Sequence, residues 1–158
     1  MLEDVDAKIA AALAADGRRS YTDLAEQVGL SVSAAHQRVR RLEERGVIRS
    51  YAARLDFEQL GLPLTAFISL TPIDPAAPDD YPQRLAGLSQ IEACYSVAGD
   101  ESYIVKVRVA TPAALESLLA QLRTSAGVST RTTVVLSTPF EDRPVTPVTP
   151  VTPEIEES

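Results

Sequence analysis

Side chains that can bind phosphate are concentrated in one short stretch of this chain. Residues 31–49 carry five arginines and two glutamates, whereas residues 1–30 carry three basic and six acidic side chains. Residues 50–158 carry seven basic and fourteen acidic side chains, and the whole chain has a net charge of −7. A cationic segment in an acidic protein directs the attraction for phosphate to one place and disfavours binding elsewhere. The charge pattern therefore indicates a local contact with nucleic acid.

Other residue types that carry chemistry are scarce. The chain has one histidine, His36, and one cysteine, Cys94, and neither has clustered partners for a metal ion. Asp100 and Glu101 are adjacent, so in a strand they point to opposite faces and do not form a catalytic carboxylate pair. The sequence has no glycine-rich phosphate loop. We expect no catalytic residue, no metal site, no cofactor and no enzymatic activity, and we expect Cys94 to be a buried structural thiol.

The first fifty residues have the periodicity of three helices. The apolar stripe of the first helix consists of Leu2, Val5, Ile9 and Leu13. Ser20 is positioned to cap the second helix, and Gly29 is positioned to end it. Ser31 or Ser33 can cap a third helix that runs to about residue 45. Two short helices joined by a tight, glycine-containing turn form a helix-turn-helix.

After residue 61 the apolar pattern changes from helical to alternating. Four segments alternate as strands do: 64–70, 91–97, 103–109 and 128–136. A short helix with Tyr81, Leu85 and Leu88 on one side separates the first two strands. A second helix begins at Thr111-Pro112, where proline suits the first helical position. The order β-α-β-β-α-β is that of the split, ferredoxin-like sandwich, so the fold class is α+β.

Both faces of the predicted sheet are partly apolar. Phe67 and Ile68 are neighbours that point to opposite faces, and Ile104 likewise opposes its neighbours. In the second strand, we expect Ile91, Ala93, Tyr95 and Val97 to share one face. The two helices can cover only one face of the sheet, and the other remains an exposed apolar patch unless it meets another chain. We therefore expect at least a homodimer.

A family resemblance extends from residue 2 to about residue 138. In the first half it is carried by Leu2, Asp6, Ile9, Asp16-Gly17-Arg18, Leu24-Ala25, Gly29-Leu30-Ser31, Arg38-Val39, Arg41-Leu42-Glu43 and Gly46-Val47-Ile48. In the second half it is carried by Tyr95, Val97, Gly99-Asp100, Tyr103, Val107, Gly127-Val128 and Val135-Leu136. Taken in order and at this spacing, these residues resemble the leucine-responsive and asparagine-responsive (Lrp/AsnC, feast/famine) regulators of bacteria.

The resemblance implies an N-terminal winged helix-turn-helix followed by a ligand-sensing βαββαβ domain. It therefore implies a sequence-specific DNA-binding transcription regulator that responds to a small molecule, expected to be an amino acid. The expected divisions are a DNA-binding domain over 1–50, a linker strand over 51–62 and an effector-sensing and oligomerisation domain over 63–138. The remaining residues, 139–158, hold three Pro-Val-Thr repeats and an acidic end, and we expect this tail to be disordered.

Under this interpretation the third helix reads DNA. Its expected buried side consists of Ala35, Val39 and Leu42. At about 100° per residue, Ser33, Gln37 and Arg41 then point away from the core. Glutamine can pair with an adenine edge and arginine with guanine, so these three residues are the expected base contacts.

Other side chains on or near the third helix are expected to hold the DNA backbone. Arg38, Arg40 and Arg45 are the expected phosphate contacts, which position the protein without reading sequence. Ser31 can offer its hydroxyl, with the amides of the helix N-terminus, to another phosphate. His36 lies at the flank of the exposed face and is a further candidate for DNA contact.

The resemblance also implies that the turn after the second strand lines an amino-acid pocket at a subunit interface. Asp100 is the expected partner of the ligand ammonium group, and Tyr103 is expected to close the pocket. The expected effector-binding residues are Gly99, Asp100, Glu101, Ser102, Tyr103, Thr130, Thr132 and Thr133. Ser102 stands where relatives commonly carry aspartate, a change that bears on which amino acid fits. The alternative is a plain hairpin turn that uses Gly-Asp for its geometry.

Two functions therefore remain open: a regulator that senses an effector, and an architectural DNA-binding protein that ignores ligands. In both, the expected partners are double-stranded DNA and further copies of this chain, from a homodimer to a tetramer, octamer or larger assembly. No apolar run approaches the roughly 18 residues that span a bilayer, and the N-terminus is acidic, unlike a signal peptide. We therefore expect a cytoplasmic protein without membrane contact.

Overall fold

The computed structural model describes residues 2–144, and these residues divide into two units. The first unit combines the N-terminal residues up to Arg54 with the segment that begins at Phe140, and the second unit is Leu55–Pro139. Most of the tail predicted to be disordered, residues 145–158, lies outside the described residues. Among the described residues, no helix is long and apolar enough to cross a membrane.

Three helices form the first unit: α1 (Asp4–Ala15), α2 (Tyr21–Val28) and α3 (Val32–Glu44). Their core is made of Ile9, Ala12, Leu13, Leu24, Val39 and Leu42. The Ser20 hydroxyl accepts a hydrogen bond from the Asp23 amide and caps α2, as its position predicted. Gly29 ends α2 in the left-handed region at φ 68°, which allows the chain to turn directly into α3. The predicted helix-turn-helix is confirmed.

The second unit is a four-stranded sheet with two helices on one face. Its elements are β1 (Leu64–Pro72), α4 (Tyr81–Leu85), β2 (Ile91–Ser96), β3 (Tyr103–Val109), α5 (Pro112–Ala126) and β4 (Val128–Val134). The strand order is β2-β3-β1-β4, and every neighbouring pair is antiparallel. Thr111 caps α5, and Pro112 follows as the first helical residue. The predicted fold class is confirmed: α+β, with the ferredoxin-like sandwich following the helix-turn-helix.

The core of the second unit lies between the sheet and its helices. The sheet contributes Ala66, Ile68, Leu70, Tyr103, Val105, Val107 and Val128, all buried. The helices contribute Tyr81, Leu85, Leu115, Leu118, Leu122 and Ala126. The alternation of β1 and β3 therefore assigns each strand one face toward the helices. We call the opposite side of the sheet the open face.

The expected alternation of β2 is wrong, because a bulge interrupts it. Ile91 pairs with Val107, which faces the helices, whereas Ala93 pairs with Lys106 on the open face. One extra residue in the bulged strand shifts the following side chains to the other face. Ile91 and Tyr95 therefore lie on opposite faces.

Cys94 was expected to be buried, and this expectation is also wrong. The thiol is exposed. Cys94 pairs with the buried Val105 and so faces the helix side of the sheet. However, β2 is an edge strand, paired on one side only. An apolar sequence pattern does not distinguish an edge strand from a central one.

The linker strand expected over 51–62 is a further error. The described residues contain no strand between α3 and β1. Residues 57–61 form a turn instead, in which the Asp56 carboxylate accepts hydrogen bonds from the amides of Glu58 and Gln59. Gly61, at φ 74°, follows this turn. An aspartate that satisfies nearby amides offers the backbone an alternative to strand pairing.

Candidate functional site

Helix α3 buries one side and exposes the other. Ala35, Val39 and Leu42 are at most 1% exposed, as their spacing predicted. Ser33, Gln37 and Arg41 are exposed. Because they are four residues apart, they form one row along the helix. The structure therefore presents the three expected base contacts together on one accessible surface.

Arg38 has a different environment from the one expected of a phosphate contact. Its Nη1 lies 2.8 Å from Asp6 Oδ1 and 2.7 Å from Glu3 Oε2. Asp6 is buried, so the pair connects the interior side of α1 to α3. The hydrogen bonds with Asp6 and Glu3 raise the pKa of Arg38. Arg38 therefore holds α3 against α1, and its charge is already balanced by two carboxylates.

The other arginines of this region point outward. Arg40 Nε lies 2.8 Å from Glu44 Oε1, an ion pair along the exposed face of α3. Arg41, Arg45 and Arg49 are exposed and have no hydrogen-bond or ion-pair partner for their side chains among residues 2–144. These three guanidinium groups are available to an external anion.

Two further DNA candidates lie at the N-terminal half of α3. Ser31 caps the helix: its hydroxyl oxygen accepts from the Ala34 amide at 3.2 Å, and its own proton remains available to a phosphate. His36 is exposed and stacks edge-on against Tyr21, with 4.7 Å between ring centroids. Because Tyr21 begins α2, this ring contact helps to fix the angle between the two helices of the motif.

The predicted effector turn connects β2 and β3 and lies between two recesses. The first has a volume of about 410 Å³ and is lined by Gly99, Glu101, Ser102 and Tyr103, with Asp79 and Tyr81 opposite. Tyr103 is buried, and its hydroxyl donates to Asp79 Oδ1 at 2.7 Å. This hydrogen bond raises the pKa of Tyr103. Tyr103 is therefore a wall of the recess and is fixed to the loop before α4.

The second recess has a volume of about 220 Å³ and contains more charged groups. It is lined by Ser69, Thr71, Asp100, Glu101, Ser129, Thr130 and Arg131. Glu101 Oε1 accepts from the Ser69 hydroxyl at 2.9 Å and lies 3.2 Å from Arg131 Nη2. The hydrogen bond from Ser69, helped by Arg131, lowers the pKa of Glu101. Asp100 is exposed and makes no such contact among the described residues.

The structure brings together only part of the predicted effector set. Gly99 to Tyr103 and Thr130 line the two recesses, whereas Thr132 and Thr133 line neither. Thr132 pairs with Ile68 and Thr133 with Phe67, so their side chains lie on opposite faces of the sheet.

The residues that sequence reasoning missed are Asp79, Ser69 and Arg131. Each lies far along the chain from the turn that it contacts. An isolated carboxylate, hydroxyl or guanidinium in the sequence gave no signal of that contact.

The open face of the sheet combines apolar and charged side chains. Phe67 is 37% exposed and Tyr95 is 51% exposed. Next to them, Glu92 lies 3.1 Å from Lys106 Nζ and 2.6 Å from Arg108 Nε. Lys106 is buried even though it belongs to the face without helices. The bulge in β2 places Glu92 where it can reach both cations.

A helix-turn-helix with outward arginines, in one chain with a βαββαβ sandwich that carries two polar recesses, defines a DNA-binding transcription regulator with a ligand-binding domain. Comparison with known families agrees. The AsnC-type helix-turn-helix domain matches residues 2–43, and the Lrp/AsnC ligand binding domain matches residues 65–145. The chain belongs to the Lrp/AsnC family of transcription regulators.

Individual relatives span nearly the whole chain. The HTH-type transcriptional regulator LrpA of Mycobacterium tuberculosis is 52% identical over 142 residues, covering 90% of this chain and 95% of LrpA. A feast or famine regulatory protein from M. tuberculosis, solved in complex with L-methionine, is 51% identical with a TM-score of 0.90, covering 93% of this chain and 100% of that one. A transcriptional regulator from Neisseria meningitidis in complex with L-Met is 27% identical with a TM-score of 0.84, covering 92% and 96%.

The two roles of Ser31 can be separated by substitution. Ser31→Ala should cost about 1 kcal/mol of stability because it removes the helix cap, whereas Ser31→Gly should cost only a few tenths. If the hydroxyl also donates to a phosphate, Ser31→Gly should lower DNA affinity while its thermal midpoint stays near that of the parent. Thermal unfolding and a duplex titration on both variants measure this. Equal midpoints for the parent and Ser31→Ala would contradict the capping role.

Proposed function

We propose that this protein is a sequence-specific DNA-binding regulator whose activity is controlled by an amino acid bound at a subunit interface of its second unit. The observation that carries the DNA-binding half is the exposed row on α3, formed by Ser33, Gln37 and Arg41. The observation that carries the effector half is the charged recess beside the turn at Asp100.

In this proposal the row on α3 enters the major groove. Helix-turn-helix proteins contact base edges mainly from the N-terminal part of the recognition helix, which places Ser33 and Gln37 near the bases. Arg41 extends the row by one turn and suits a guanine edge. Arg40, Arg45, His36 and Ser31 contact the DNA backbone. Since Asp6 and Glu3 neutralise Arg38, we assign Arg38 to positioning the helix rather than to a phosphate.

The effector is an α-amino acid because the second recess offers groups for both of its charges. The exposed Asp100 carboxylate suits the ammonium group, while Arg131 and the amides of the turn suit the carboxylate. Glu101 is already balanced by Ser69 and Arg131, so it contributes less net charge to a ligand than Asp100 does. L-Methionine is the first candidate because two related regulators were solved with it bound.

Assembly follows from the open face of the sheet. Phe67 and Tyr95 expose apolar area on this face, and the buried Glu92, Lys106 and Arg108 network lies beside them. A second copy covering this face gives the homodimer, and dimers associate further into a tetramer, octamer or larger assembly. A dimer with two-fold symmetry reads a nearly palindromic operator. A regulator of this kind acts in the bacterial cytoplasm, where it has access to DNA.

Replacing Arg41 tests the DNA-reading role of α3. Arg41→Ala should weaken binding to an operator selected from random duplexes by about 5- to 150-fold and relax preference at one base pair, the effect of losing a base-reading arginine. Arg123→Ala, which removes an exposed arginine on α5, is the charge-matched control and should change binding little. A uniform loss across all sequences would make Arg41 a phosphate contact, and unchanged binding would contradict its assignment.

A thermal-shift screen against the twenty amino acids tests the effector. A ligand at 100 times its dissociation constant stabilises the folded state by about 2.7 kcal/mol, which should raise the unfolding midpoint by several degrees. The shift should disappear in Asp100→Ala and persist in Glu116→Ala, a control at an exposed position of α5. If no amino acid stabilises the protein, the second unit serves assembly alone. If Asp100→Ala keeps the shift, the ligand binds elsewhere.

A further inference from the structure

The C-terminal segment of residues 145–158 lies outside the described residues, but the structure shows where it starts. The stretch from Phe140 belongs to the same unit as helices α1 to α3. Arg54 donates a hydrogen bond to the backbone carbonyl of Asp142, and Arg143 stacks over the Phe140 ring with its guanidinium 4.1 Å from the centroid. The segment therefore leaves from the surface of the helix-turn-helix unit, beside Arg54.

An apolar groove lies close to this starting point. It has a volume of about 390 Å³ and runs between α1 and the segment 47–51. Its walls include Ala10, Ala14, Val47 and Tyr51, and Arg49 also lines it. Val47 is 40% exposed and Tyr51 is 50% exposed. Tyr51 precedes Arg54 by three positions, so the groove begins within about 11 Å of the point where the segment leaves.

The sequence of the segment matches the chemistry of this groove. Residues 144–152 repeat Pro-Val-Thr three times, and Glu154, Glu156 and Glu157 follow. A three-residue repeat has the period of the polyproline II helix, a conformation that places each valine on the same side. Proline-rich segments of this type bind grooves lined by aromatic side chains. Tyr51 provides the aromatic ring, and Arg49 provides a cation for the acidic end.

The charges and the distances agree with the same arrangement. Arg41, Arg45 and Arg49 have no hydrogen-bond or ion-pair partner for their side chains among residues 2–144. From Pro144 to Glu154 the chain can extend at most about 33 Å. Helix α3, with 13 residues, is about 20 Å long. The three glutamates can therefore reach the C-terminal end of α3 after the repeats have crossed the groove.

We propose that residues 145–158 dock in this groove of their own chain and hold Glu154, Glu156 and Glu157 against Arg45 and Arg49, where they compete with DNA phosphates. The segment acts as an internal competitor that weakens non-specific DNA binding, since such binding depends mainly on phosphate contacts. The inhibitory role rests on the proposed DNA contact of α3, whereas the docking itself does not.

The first test compares two charge-matched variants of the full chain. Glu156→Gln/Glu157→Gln neutralises the segment, and Glu58→Gln/Glu116→Gln neutralises two exposed glutamates of the second unit. On a random-sequence duplex at low salt, the segment variant should bind about three- to tenfold more tightly than the parent, the effect of releasing a few exposed ion pairs. The control should change little. Equal gains in both variants, or no gain in the segment variant, would overturn the competition.

The second test detects the contact directly. In an Arg49→Lys chain, carbodiimide coupling should join the introduced lysine to a glutamate of the segment, and saturating duplex should suppress this cross-link. An Arg123→Lys chain is the matched control in the second unit. No cross-link at position 49, or an equal yield at position 123, would overturn the docking. A cross-link unaffected by duplex would overturn the competition. Arg41→Ala tests the α3–DNA contact separately, so failures of the two proposals are distinguishable.

Discussion

The burial of one side of α3 is the constraint on which the DNA-binding surface depends. Leu42 and Ala35 are fully buried, and Val39 is nearly so. Each fully buried aliphatic side chain of leucine or valine size stabilises the fold by about 1.5–3 kcal/mol. A rotation of the helix by one position would expose these side chains and bury arginines, so its orientation is fixed. The direction of Gln37 and Arg41 toward solvent follows from this packing.

The same packing explains why neighbouring arginines on one helix differ in role. Arg38 lies at the boundary between the buried and exposed sides, within reach of Asp6 and Glu3. A buried carboxylate such as Asp6 requires a partner, because an unpaired buried charge is strongly destabilising. Arg41 lies three positions later and has no carboxylate near it among the described residues. One arginine therefore connects two helices, while the next is available to DNA.

In the second unit, the equivalent constraint is that a sheet covered by helices on one face leaves the other face to be satisfied. The buried charge network of Glu92, Lys106 and Arg108 satisfies part of the open face, and exposed aromatic rings occupy another part. The turn at Asp100 joins β2 to β3 at the end of this sheet. A ligand at that turn and a partner on the open face would therefore contact the same strands, which gives a structural basis for linking effector binding to assembly.

Features set by local interactions were predictable from the sequence. The Ser20 and Thr111 caps and the glycine that ends α2 depend on residues within one helical turn, and all three were confirmed. The order of elements followed from the change in apolar period. Together with the motif residues, this order sufficed to assign the family.

Features set by distant residues were not predictable. The bulge in β2 accompanies ion pairs from Glu92 to β3, and the inward position of Arg38 depends on a residue 32 positions away. The contact of Tyr103 with Asp79 joins two loops that give no sequence signal. Likewise, Thr132 and Thr133 share a residue type with Thr130 but not its position beside the turn.

The central claim, that amino-acid binding and DNA binding are coupled in this chain, is tested most directly by measuring both affinities in a closed cycle. Operator affinity is measured with and without saturating L-methionine, and L-methionine affinity with and without saturating operator. Coupling predicts that each ligand changes the affinity of the other by the same factor, about 5- to 150-fold for typical allosteric proteins. If L-methionine binds and neither affinity changes, the two sites are independent, and an architectural DNA-binding protein would be the better account.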